Sequence, residues 1–259
     1  YADALIENTI VYDGHIGKHN INLLGGMTYE EENTNLLTGW GIKFTEPYYL
    51  QLQNAANTYS ESYEYRHAIA SYIGRLTYNY DEKYLLSAVI RRDGSSRLTK
   101  DIRWGTFPSV SLGWRLDKEK FFPVSKKIVN MAKIRASYGV LGNENIGEYM
   151  YMATMKRNNM TYSFGNNVVT GSAVSEFVNK NIAWEKKKST NVGIDLAMFN
   201  NRFEFTAEWY KNTSEDLLYG VPVPTQTGVA NATVTMNAAS MENSGFEFSA
   251  TYRNHDHPF

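Results

Sequence analysis

No cysteine occurs in the 259 residues, which removes disulfides, thiolate nucleophiles and cysteine-based metal sites together. Long apolar runs are missing as well. Nothing approaches the roughly 18 to 20 residues that a membrane helix needs, and the mean hydropathy of -0.45 is hydrophilic. Neither sign of charge dominates, with 26 Lys plus Arg against 27 Asp plus Glu, so the overall balance gives a nucleic-acid partner no electrostatic footing. Tyr1 is followed by no basic stretch and apolar core of the signal type, so any targeting segment has been removed or lies outside this sequence. What the chain has in quantity is aromatic residues: 19 Tyr, 12 Phe and 5 Trp, 14% in all. Hydropathy thus excludes a helical membrane protein but not a membrane barrel, whose strands present only alternate residues to lipid.

The pattern along the chain has a period of two. Val110, Leu112, Trp114 and Leu116 alternate with Ser109, Ser111, Gly113 and Arg115. Ile134, Ala136, Tyr138 and Val140 oppose Lys133, Arg135, Ser137 and Gly139, and Phe246, Phe248, Ala250 and Tyr252 oppose Glu247, Ser249, Thr251 and Arg253. Such alternation over eight or so residues specifies strands with one apolar and one wet face. Nine strands are expected, at about 5–13, 19–31, 66–80, 83–92, 105–117, 132–141, 188–199, 202–212 and 241–253.

The links between them alternate in size. Short ones fall at 13–20, 81–83 and 199–201, with a medium link at 118–131 that has room for a helical turn; long ones fall at 32–65, 93–104, 142–187 and 213–240. Short turns at one end and long loops at the other are the pattern of an antiparallel outer-membrane β-barrel. Lipid offers no hydrogen bonds, so every strand in it must pair on both sides. Nine strands with ends on opposite sides would leave two bare edges, which makes 1–259 a piece of a larger barrel.

Motifs that carry chemistry are few. His15 and His19 flank a glycine turn rather than sharing a helix face, and His255 and His257 have no third ligand nearby in sequence. The run Glu30, Glu31, Glu32 lacks the spacing of a calcium loop and reads as a solvated strand end. No catalytic residue, metal site or cofactor is expected, and the chain reads as a non-enzyme.

The stretches RRDGSSRLTKDIRWGTFPSVSLGWRL (91–116), KIRASYGVLGNENIGEY (133–149), WEKKKSTNVGIDLAMFNNRFEFTAEWYKNTSEDLL (184–218) and NAASMENSGFEFSATY (237–252) resemble the barrel of SusC/RagA-type TonB-dependent outer-membrane transporters. The resemblance runs from about Gly17 to the C-terminus. It implies that 1–259 is part of a 22-stranded barrel in the outer membrane, with a plug that contacts the TonB complex expected outside these residues, and a SusD-like surface lipoprotein acting as a lid. It also implies import of oligosaccharides or oligopeptides, with nothing in the residues to choose between them. A passive porin or a soluble glycan-binding β domain would share parts of the pattern. Substrate contact is expected from aromatic rings in the long loops: Trp40, Phe44, Tyr48, Tyr49 and Tyr59 in the first, Tyr162, Phe164 and Trp184 in the third. Aromatic faces stack on sugars and also accept peptide side chains.

Overall fold

The computed structural model describes residues 1–122, 124–153, 155–156, 161–174, 177–224, 226 and 233–254. Nine long strands form one antiparallel sheet: β1 (Ala2–Ile16), β2 (His19–Phe44), β3 (Ala55–Tyr80), β4 (Tyr84–Ser95), β5 (Trp104–Arg115), β6 (Val129–Asn143), β11 (Glu185–Met198), β12 (Phe203–Pro222) and β13 (Thr233–Tyr252). Every strand pairs with its neighbour in sequence, except that β6 pairs with β11 across an excursion. That excursion carries the short pairs β7 (Met155–Lys156) with β10 (Ala173–Val174), and β8 (Thr161–Phe164) with β9 (Asn167–Thr170).

Register turns the alternation of single strands into two faces of a wall. Across all nine strands one row reads Gly14, Ile21, Tyr78, Leu86, Leu112, Ala136, Val192, Trp209, Phe246. One residue along, the row on the other face reads Asp13, Asn22, Thr77, Ser87, Ser111, Ser137, Asn191, Tyr210, Gly245. A slip of one residue in any pair would send polar groups to the apolar side, so burial of that side in lipid fixes the register. Val110, Leu112 and Trp114 stand on the apolar face as expected, all partly or well exposed in the chain alone.

Aromatic rings edge the apolar face. At the short-turn end Tyr80 stacks on Tyr84 at 6.2 Å and Tyr84 on Trp114 at 6.4 Å. The Tyr84 hydroxyl and the Trp114 indole both donate to Glu119, at 2.6 and 3.1 Å. At the other end Tyr72 stacks on Trp104 at 5.9 Å, with the Arg92 guanidinium 5.6 Å above the indole. Amphipathic rings in two belts suit the two water boundaries of a bilayer. The turns at the first end are tight. Asp81 and Glu82 both adopt the left-handed conformation in the three-residue link between the paired Tyr80 and Tyr84, which matches a short hairpin connection to the twist of its strands.

Several boundaries differ from those expected. The 32–65 segment is not a loop: β2 and β3 run on as a paired ribbon, from Thr34 opposite Tyr65 to Phe44 opposite Ala55, around a turn at 45–54 holding a 3-10 turn at Leu52–Asn54. Trp40, Phe44 and Tyr59 are therefore strand residues. Most of 213–240 is strand too, because β12 and β13 extend to Pro222 and Thr233. Leu116 leaves the sheet for a 3-10 turn, Leu116–Lys118. There the carboxylate of Asp117 accepts two bonds from Arg115, each 2.8 Å, and one from the Ala132 N–H, which pulls the chain out of strand geometry.

Candidate functional site at the outer rim

The polar face carries a network typical of a wetted wall. Arg135 donates to Asn191 at 2.7 Å, sits 3.3 Å from Asp195 and pairs with Glu208, while Lys133 reaches Asp195 at 3.3 Å. Beside it a shallow concavity of about 500 Å³ is bordered by Ser189, Asn191, Asn212, Ser214 and Asn243. Hydroxyl, amide and paired charges on this side agree with a hydrated or protein-filled lumen and not with lipid.

At the long-loop end the wall thickens into the one packed core among the described residues. Leu98, Phe107, Ile146, Ile182 and Trp184 form it. Gly105 and Gly142 leave room for the Phe107 ring, which a side chain at either position would strike. Beside this core lies a charged cluster: His67 of β3, Arg97 of the turn after β4, and Glu144 and Glu148 of the excursion. Burial pushes the Glu144 carboxyl above the usual glutamate range. The DGSSR turn closes onto β3 through backbone and hydroxyl: Ser96 N–H donates to Ala68 O and the Ala68 N–H to Ser96 Oγ, both at 2.9 Å. Just above, the Tyr149 hydroxyl meets the Arg66 N–H at 3.2 Å.

Above the rim the ribbon reverses its greasy side without breaking register. In the wall the odd residues of β2 are the apolar ones, Ile21, Leu23 and Met27; in the ribbon it is the even ones, Leu36, Trp40 and Ile42, while Phe44, beyond the left-handed Lys43, packs on the Gly41 side. On β3 the partners on that same face are Tyr59, Tyr63 and Tyr65. Trp40 and Tyr59 stack across the strands at 5.6 Å with planes 16° apart. The opposite face is lined by Gly39, Gly41, Thr58, Ser60 and Ser62, apart from Leu37 and, at the tip, Phe44. An aromatic strip therefore continues the lumen face outward, and its large rings and aliphatic chains are exposed.

The sequence-derived candidates divide accordingly. Trp40 lies on the ribbon strip and Phe44 packs by Gly41 on the ribbon's other face, while Tyr48 and Tyr49 are exposed in its turn. Tyr162 stands on a separate hairpin, β8 with β9, its ring packed over Gly171. Trp184 is buried, edge-on to Phe107 at 5.4 Å, with its indole N–H donating to Arg103 O at 2.9 Å. His15 and His19 hydrogen bond to Asn20 and Tyr78; Glu31 and Glu32 accept from Tyr29 and Thr34. His255 and His257 lie outside the described residues. Sequence reasoning missed Tyr63, Tyr65 and the His67 cluster. The first two were within reach, since 59–65 and 36–44 keep a period of two; the cluster joins residues far apart in sequence and gave no local signal.

A sheet that is apolar outside, polar inside, ringed by aromatics at both boundaries and hung with long structures at one end defines the wall of an outer-membrane barrel. Residues 4–259 match the family model described as TonB dependent receptor-like, beta-barrel. The chain belongs to that family and, within it, to the SusC/RagA type. It is 36% identical to TonB-dependent receptor P3 of Formosa agariphila over 97% of this chain and 25% of the relative. It is also 36% identical to TonB-dependent receptor SusC of Bacteroides thetaiotaomicron, over 82% of this chain and 20% of that protein. Among solved structures, the RagAB peptide transporter aligns with a TM-score of 0.84 and 25% identity, covering 98% of this chain and 28% of that one. The siderophore receptor PirA of Pseudomonas aeruginosa shares the fold at a TM-score of 0.56 and 10% identity. The chain thus spans about a quarter of the length of its relatives, which are receptors and transporters rather than enzymes.

Proposed function

We propose that residues 1–259 form part of the wall and outer mouth of a TonB-dependent importer of oligosaccharides or oligopeptides, closed from outside by a SusD-like lipoprotein. The observation that carries this reading is the aromatic strip on the β2–β3 ribbon, which continues the lumen face outward into the medium. A passive pore has no need of such a strip. Trp40, with Tyr48 and Tyr49 at the tip and Tyr162 on the β8–β9 hairpin, is offered to substrate or lid; Phe44 braces the tip from the ribbon's other face, and Trp184 serves them by fixing the root of the excursion. Aromatic faces bind pyranose rings and peptide side chains alike, so the reading keeps both substrates. A plug elsewhere in the full protein receives work from the TonB complex, and the wall needs no catalytic group. The test is uptake by cells with the TonB system disabled: uptake stops while surface binding persists. Uptake that continues unchanged identifies a passive porin.

A further inference from the structure

The excursion between β6 and β11 is rooted by two kinds of chemistry. Its returning root is apolar, with Ile182 and Trp184 in the rim core. Its leaving root is charged. His67 Nε2 lies 3.1 Å from Glu144 Oε1, and its Nδ1 lies 3.7 Å from Glu148 Oε1. Arg97 Nε lies 2.6 Å from that same Glu148 oxygen, and its Nη1 lies 4.0 Å from Glu144. The Ser95 hydroxyl also faces Glu144, and Tyr149 caps the Arg66 backbone beside the cluster. The imidazole and both carboxylates are nearly closed off from solvent. Two buried atoms, Nδ1 of His67 and Oε2 of Glu144, have no hydrogen-bond partner.

Charge counting shows what this arrangement wants. Two carboxylates face one guanidinium, so with a neutral imidazole one negative charge stays uncompensated in a desolvated place, which is costly. A single added proton cures this whether it sits on His67 or on Glu144. On the imidazole it also turns Nδ1 into a donor aimed at Glu148. The upward push of burial on Glu144 acts in the same direction.

We propose that His67, Glu144, Glu148 and Arg97 form a proton-tightened latch that holds the leaving root of the excursion, residues 144–153, on the barrel rim. When the excursion lifts, Glu144 meets water and loses the burial that raises its carboxyl, so docking takes up a proton. Docking therefore strengthens as pH falls and weakens as pH rises through the raised titration of docked Glu144. Lifting the excursion would move the β8–β9 hairpin, with Tyr162, relative to the mouth. The latch stands on the rim geometry alone and does not depend on which substrate or lid the mouth receives.

Hydrogen exchange read by mass spectrometry on the full-length receptor in detergent tests this. Peptides covering 145–153 and 177–183 are compared between pH 5.5 and 8.5 after correction for intrinsic exchange, a window above the ordinary glutamate value. Wild-type protection falls several-fold toward high pH. In Glu144→Gln, which keeps the shape and removes the charge, protection is retained and no longer follows pH, whereas His67→Gln, which leaves two carboxylates facing one guanidinium, keeps a slope. Peptides from β4 and β5 stay protected throughout, reporting an intact barrel. A flat wild-type profile, or a wild-type slope surviving in Glu144→Gln, overturns the latch.

Discussion

Trp104 and Trp114 stand at opposite ends of β5 on one face of the sheet, each stacked on a tyrosine of the neighbouring wall. Ten residues at about 3.3 Å each, tilted by about 40°, give roughly 25 Å between the two indoles, the height of the apolar band of such barrels. Leu112 lies on that face and Ser111 on the other. Val110, on the same face as Leu112 and nearest the middle of that span, is the place where an added charge costs most: Val110→Arg is expected to cost about 2 to 4 kcal/mol and Ser111→Arg much less. Urea titration of the full-length protein refolded into lipid vesicles measures both; equal costs would refute the sidedness.

Protease applied to intact cells should cut in the ribbon turn at 45–54 or in the excursion 144–184, where the structure hangs beyond the wall. The tight turns Asp81–Lys83 and Phe199–Asn201 should be spared until the outer membrane is opened. Cleavage in the reverse order would invert the topology.

Phe107 fills space that Gly105 and Gly142 leave open. Gly142→Ala drives a methyl group into the ring and is expected to lower stability by about 1 to 3 kcal/mol. Phe107→Ala empties the rim core and should cost about 3 to 5 kcal/mol. In the double variant the cost of the alanine at 142 should nearly vanish, a coupling that a double-mutant cycle on thermal unfolding reads directly.

Glu119 sits at the short-turn belt, where the Tyr84 hydroxyl first and the Trp114 indole next hold its carboxyl below the usual range, with Lys83 adding to them. Its contribution is therefore complete above the ordinary glutamate value and is lost only as pH falls through the depressed one. The emission of Trp114, taken as the difference between wild type and Trp114→Phe, should stay constant through the ordinary range and shift at stronger acid. Glu119→Gln should remove the step, and a shift already in the ordinary range would contradict the hydrogen-bond assignment.

The wall was readable because alternation is local: Ser109 through Arg115 state their two faces without help from any other strand. Nine strands and their sidedness followed from that signal. The ribbon was not readable in the same way, because Gly39 and Gly41 look like loop residues and because the apolar parity reverses between Glu32 and Leu36. Pairing along the whole of β2 and β3 overrides both. Trp184 looked like a loop ring open to ligand, but its burial depends on Phe107 and Leu98, far away in sequence. His67, Arg97, Glu144 and Glu148 are individually unremarkable letters, and only the folding of three separate segments onto one point makes them a cluster.

The ribbon has a mechanical consequence. Its hydrogen bonds continue those of the wall with no bulge between His19 and Ile42, so there is no hinge where the oily part of β2 ends and the watery part begins. A two-stranded ribbon resists shear in its own plane and yields to twist. A load at Tyr48 or Tyr49 is thus carried down the same two strands as torque on the staves of the barrel. Tyr149 and Ser96 fasten the ribbon's free edge just where it leaves the rim, and they act as the clamp of a cantilever, setting the length of arm that can swing.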